Sequence, residues 1–148
     1  MGSKSRERGQ NVIEFALVLP IFSLFLFGIL FVGMIMADYL LLSSIARSSA
    51  RDAAIIQSKD YYDNNYEKIR VKYKDVKLPM DIYNWQAAKT DNFMISYDSS
   101  SHNVNVIMKA DLNPTGSYLG SVVNSLAGGT ALANIHITYS MYSEYKPE

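Results

Sequence analysis

The residue best placed to do chemistry in this chain is a carboxylate in an apolar setting. Glu14 stands between Val12-Ile13 and Phe15. An acidic side chain costs about 2.5–3.5 kcal/mol near the centre of a membrane span and less toward the interface, so Glu14 calls for a partner or a function. Snorkelling to the headgroups is the bland alternative. Elsewhere the chemistry is sparse. A metal centre wants clustered ligands, yet the two His are His102 in a turn-like stretch and His136 on the polar face of a strand pattern, with no H-E-x-x-H. The absence of Cys excludes disulfides and thiolate sites. Gly116-Ser117-Tyr118-Leu119-Gly120 puts its serine one place early for a nucleophile elbow, and no glycine loop suited to phosphate is present. The expectation is a chain with no catalytic residue, metal or cofactor. Balanced charges, 14 basic against 14 acidic, argue against nucleic acid, which needs a concentrated basic excess.

The element that positions Glu14 is the uncharged run Phe15 to Ala37, 23 residues without Asp, Glu, Lys, Arg, His, Asn or Gln. As a helix it covers about 34 Å, slightly more than the roughly 30 Å hydrocarbon core of a bilayer. A chain of 148 residues has too little material to wrap such a helix on all sides, so a membrane span is expected rather than a buried core helix. Lys4, Arg6 and Arg8 against Glu7 make the leading segment basic, while Asp38, Arg47, Arg51 and Asp52 beyond the run cancel. The positive-inside rule then puts the N-terminus in the cytoplasm and residues 38–148 outside it, with Tyr39 at the interface. A cleaved signal peptide is the competing reading. Its apolar region is usually 7–15 residues, and no A-x-A ends this run; Ser44-Ile45-Ala46 comes too late.

The segment Arg8-Gly9-Gln10-Asn11-Val12-Ile13-Glu14-Phe15 resembles the processing site of type IV pilin-like proteins. Further on, Glu14-Phe15-Ala16-Leu17-Val18-Leu19-Pro20, Phe27-Gly28-Ile29 and Ala46-Arg47-Ser48-Ser49-Ala50-Arg51 are similar to the TadE-like family of pseudopilins and minor pilins of the tight-adherence (Flp) pilus. The resemblance covers residues 8–54. It implies cleavage by a prepilin peptidase between Gly9 and Gln10. Glu14, next to Phe15, then becomes the fifth residue of the mature chain, and its carboxylate can pair with a neighbouring subunit's new ammonium as an assembly register. It also implies, as partners, other pilin-like subunits, the pilus assembly platform and the lipid bilayer. Pro20 can kink the helix where neighbours compensate, and Gly28 and Gly33 allow close helix approach, although their spacing of five is not the four-residue dimer motif. Arg47 and Arg51, one turn apart, share a face that could meet a partner's carboxylates, headgroups or only water.

Ala46, Ala50, Ala53 and Ala54 keep helical spacing, so the first helix is expected to reach about Gln57. Tyr61, Tyr62, Tyr66, Ile69 and Tyr73 suit a short amphipathic second helix ending before Pro79, and a loop with Trp85 follows. Phe93, Ile95 and Tyr97 alternate with Met94, Ser96 and Asp98. After Ser99-Ser100-Ser101-His102 the alternation resumes with Val104, Val106, Met108, Ala110 and Leu112, which makes a hairpin. Asn113-Pro114-Thr115-Gly116 ends it. A small-residue excursion closed by Gly128-Gly129 leads to a third strand, in which Ile135, Ile137, Tyr139 and Met141 alternate. The expected fold class is α+β: a long N-terminal transmembrane helix extending out of the membrane, a short second helix and a small three-stranded antiparallel sheet. The expected organisation is a cytoplasmic leader at 1–9, the extended helix at 10–57 and an extracytoplasmic domain at 58–148. The leading function is a pilin-like assembly protein that is a peptidase's substrate and no enzyme itself. A single-pass membrane-tethered binding or sensing module is the alternative, and a tethered hydrolase comes third.

Overall fold

A computed structural model describes residues 3–56, 64–126, 128 and 134–143, and the side chains of these apart from 3–10, 64, 65 and 126. Helix α1 (Ser3–Ala54) is followed by α2 (Asn64–Lys72), β1 (Tyr83–Asn84), β2 (Phe93–Asp98), β3 (Asn103–Leu112), α3 (Tyr118–Leu126) and β4 (Ile135–Tyr142). The architecture is α+β, as expected. The chain divides into two compact units, Met1–Met36 and Ala37–Glu148.

The first unit is the N-terminal part of α1. Its helical backbone already runs at Ser3 and continues through Pro20 as one element. Leu24, Phe25, Ile29 and Val32 lie exposed, and none of the most apolar 18-residue window is buried inside the protein. A core helix of a soluble protein would bury these side chains, so this helix fits single-pass membrane anchoring.

The second unit begins with the rest of α1. Leu42, Ile45, Ala46, Ser49, Ala50, Ala53 and Ala54 are buried, at spacings of three and four that define one helical stripe. The alanines keep that stripe low, so the backbone can approach what covers it closely. Gln57, the expected end of the helix, and Tyr61 and Tyr62 of the expected second helix lie outside the described residues. Within α2, Tyr66 and Ile69 are buried as their spacing requires. Lys72 of α2 pairs with Asp52 of α1 at 2.7 Å, and Tyr73 donates its hydroxyl hydrogen to Ser48 Oγ at 3.0 Å.

β3 is the central strand. It pairs antiparallel with β2 from Phe93↔Met108 to Asp98↔Asn103, and with β4 from Asn103↔Tyr142 to Ala110↔Ile135. Val104, Val106, Met108 and Ala110 are all fully buried and occupy the alternate positions that a one-sided sheet demands. Phe93, opposite Met108, is also fully buried, with Tyr73 and Trp85 as aromatic neighbours at 6.3 and 6.2 Å between centroids. In the hairpin turn, Asp98 Oδ1 accepts the Ser100 N–H at 3.0 Å and its hydroxyl at 2.6 Å, while Oδ2 accepts the Ser101 hydroxyl at 2.7 Å. His102 closes the turn at φ 58° and lies 3.1 Å from the Tyr97 hydroxyl through Nδ1.

Two elements go beyond the expected set. β1 adds a two-residue fourth strand by pairing Tyr83↔Leu112 and Asn84↔Asp111, too short for alternation to announce it. The supposed small-residue excursion contains α3. Ser117 caps this helix, its Oγ accepting the Gly120 N–H at 3.3 Å, so the stretch once weighed against a nucleophile elbow is a helix start. Gly120 sits against the chain that leaves β3. A Cβ there would fall 2.1 Å from the Asn113 carbonyl oxygen and 3.1 Å from that of Ile82. Replacing Gly120 by Ala is therefore expected to destabilise the second unit by about 1–3 kcal/mol through overpacking against backbone. Denaturant unfolding of the detergent-solubilised chain, followed by the fluorescence of its single Trp, buried Trp85, measures it.

Candidate functional site

In the first unit, Gly9 and Gln10 lie on the helical backbone of α1, and Glu14 follows just over one turn after Gln10. Glu14, Phe15 and Pro20 are exposed. Gly28 and Gly33 are open: a Cβ built at either would meet nothing within 4 Å. Around Gly28, Leu24, Phe25, Ile29 and Val32 line a shallow apolar groove. The segment from Gly9 to Gly33 is thus a continuous helical surface in which one carboxylate precedes a long apolar run.

In the second unit the structure separates charges that the sequence reading had pooled. Arg47 and Arg51 are exposed, on the side away from the buried stripe; Arg47 Nε donates to the Ser43 carbonyl one turn back, at 3.4 Å. Among the described residues neither forms an ion pair, since Asp52, beside Arg51, is held by Lys72. The two guanidinium groups are therefore presented outward together.

Asp38 is the residue that sequence reasoning passed over. It follows the uncharged run directly and looked like one charge in a cancelling set. In the structure it is completely buried, and its carboxylate accepts the backbone N–H of Met80 at 2.9 Å and of Ile82 at 3.3 Å. Between them Asp81 adopts φ 51°, a left-handed conformation open to Asp, so both donors turn toward the same carboxylate. The tyrosine next in line, Tyr83, has its pKa raised by burial first and by the negative charge of Asp38 second. The one available signal was position, since an acidic residue at the end of an apolar helix needs donors, but those donors lie more than forty positions along the chain.

Beside this loop, Lys74, Asp75, Lys77, Asp81, Asn84 and Gln86 border a cleft of about 670 Å³. Its charges alternate, and it holds no nucleophile paired with a base. His136 is exposed, and no cluster of three His, Asp or Glu residues suited to a metal occurs among the described residues.

Fold and site together define a class: an exposed apolar N-terminal helix, long enough to cross a bilayer, that continues into a small α+β unit. A family model described as TadE-like protein matches residues 9–51, which hold Glu14, the apolar run and both arginines. This match suggests a pilus-associated, pilin-like protein that interacts with other pilus components, and a structural role rather than an enzymatic one. No curated protein matches the chain, and no solved structure does.

Two measurements check the second unit. Asp38→Ala leaves the Met80 and Ile82 donors unpaired in a buried place and is expected to cost about 1.5–3 kcal/mol of unfolding free energy in the same denaturant titration. Asp98 has its carboxyl held down at about 2 by the hydrogen bonds of Ser100 and then Ser101. Because its folded pKa is depressed, its stabilising contribution is complete above the ordinary Asp range and is lost as pH falls through about 2. A carbon-13 NMR titration should place the Asp98 carboxyl midpoint there, and Ser100→Ala with Ser101→Ala should move it up toward 3.8.

Proposed function

We propose that this chain is a TadE-like membrane protein that serves assembly of a tight-adherence (Flp) pilus and is matured by a prepilin peptidase that cuts between Gly9 and Gln10. The observation that carries the reading is the spacing from Gly9 to Glu14 at the start of an exposed apolar helix, inside the segment that matches the TadE-like family. The leader, residues 1–9, lies on the cytoplasmic side and residues 38–148 on the other, as the basic start demands. Cleavage exposes an ammonium on Gln10. A carboxylate at the edge of the apolar phase is costly alone, but when helices pack side by side Glu14 of one subunit meets the Gln10 ammonium of the next, and the cost becomes a register. Phe15 and the groove around Gly28 offer apolar surface to the neighbouring helix, and Gly33 a second point of close approach. Pro20 removes a backbone hydrogen bond within the span and marks where the helix can bend. Arg47 and Arg51, paired outward, provide a contact for acidic groups on partner subunits or for headgroups.

The test is the mass and N-terminal sequence of the protein made beside its prepilin peptidase. A new terminus at Gln10 is expected, and an intact leader overturns the proposal. In the same cells Glu14→Ala should still be cut yet fail to enter the assembled pilus machinery; unchanged incorporation would remove the register role.

A further inference from the structure

We infer that the edge of β4 that no described residue pairs is a pairing surface for β4 of a second copy of this chain, extending the sheet antiparallel across a two-fold axis at Tyr139. β4 reads Ile135-His136-Ile137-Thr138-Tyr139-Ser140-Met141-Tyr142, eight residues with no charge, no proline and no glycine. Native sheet edges are ordinarily blunted by such residues or by bulges, and β4 has neither; its ladder to β3 is unbroken over all eight positions. Among the described residues β4 pairs with β3 alone.

The direction of its free hydrogen-bonding groups follows from one contact. Ser143 donates its N–H to the carbonyl of His102, on the β3 side. By the alternation of an antiparallel ladder, residues 135, 137, 139 and 141 also turn their backbone groups to β3. His136, Thr138, Ser140 and Tyr142 therefore present theirs to the open edge. Only registers that keep apolar side chains on one face are admissible, which requires positions of equal parity to oppose each other. Centring the axis on Tyr139 sets Thr138 against the second copy's Ser140 and His136 against its Tyr142, so all four edge-facing residues are paired. Centring it on Thr138 leaves Tyr142 beyond the partner strand.

The side chains favour the same centre. Ile135 and Ile137 are buried, whereas Tyr139, on the same face and opposite buried Val106, is 37 % exposed. The pairing lays Tyr139 against its own counterpart and Ile137 against the second copy's Met141, apolar and aromatic cross-strand pairs. An uncharged edge meets itself without repulsion, which makes a second copy the fitting occupant. At about 27 Å long the contact stays below the roughly 800 Å² per partner of a standard stable interface. It therefore acts between copies already concentrated in one membrane, and so rests on the anchoring read above.

The absence of native Cys makes cross-linking a clean test on the full, uncut chain in proteoliposomes. Tyr139→Cys should form a disulfide dimer under mild oxidation, because opposed residues of a non-hydrogen-bonded pair hold their Cβ atoms about 4.5–5.5 Å apart. His136→Cys, displaced from its own counterpart by six positions or about 20 Å, should yield at least about fivefold less, while a mixture of His136→Cys and Tyr142→Cys chains should form heterodimers. Adding Thr138→Pro to Tyr139→Cys should abolish the dimer, since proline on an outward-facing edge position removes only the intermolecular donor; unchanged Trp85 fluorescence verifies the fold. No dimer from Tyr139→Cys, or equal yields from Tyr139→Cys and His136→Cys, overturns the proposal. The assay needs neither peptidase nor pilus, so its failure leaves cleavage at Gly9 untouched and failure of cleavage leaves the assay readable.

Discussion

The second unit depends on how closely the end of α1 can be covered. Leu42, Ala46, Ala50 and Ala53 are completely buried along one stripe, and three of the four are alanines. Polar ties fringe the stripe. Asp38 reaches the amides of Met80 and Ile82, Ser48 receives the Tyr73 hydroxyl, Asp52 meets Lys72, and the Ser143 hydroxyl lies 3.5 Å from the Ala54 carbonyl. These ties join α1 to three parts of the chain: the end of α2 at Lys72 and Tyr73, the loop at 80–82, and Ser143 just after β4. Among them only Asp38 is both charged and fully buried, so its pairing is the one whose loss leaves donors stranded.

The same helix obeys two solvents. From Val12 to Met36 most of its large apolar residues are exposed, with Phe31, Met34 and Ile35 half-buried, a pattern that water would punish and a bilayer or neighbouring helices would satisfy. From Ala37 onward it becomes amphipathic in the ordinary way, with a buried stripe and with Arg47 and Arg51 outside. Asp38 stands at that boundary. A carboxylate just beyond an apolar run has lost part of its hydration already, and the backbone donors of the 80–82 loop replace it.

The family match and the buried core overlap only in part. None of the buried hydrophobic residues falls between Glu14 and Gly33, yet that stretch lies within the segment that matches the TadE-like family. The match ends at residue 51, so the sheet, α2 and α3 lie beyond it.

The sequence by itself determined the apolar helix, the carboxylate of Glu14 at its entrance, the alanine stripe, the register-bearing alternation of β2, β3 and β4, and the absence of cysteine chemistry. All of these are local patterns, periods of two or 3.6 or uninterrupted runs, and periodicity is visible without knowing what packs where. Only the tertiary structure decided the rest. β1 is two residues long and exists because β3 has a free end to pair with; α3 carries a cap and a glycine whose necessity shows only when the Asn113 carbonyl is found beside it. Asp38 read as one surface charge among four because its two donors are separated from it by the whole of α2 and the loop that follows. Long-range closure turns a residue's identity into its role, and nothing in the order of neighbours along the chain records it.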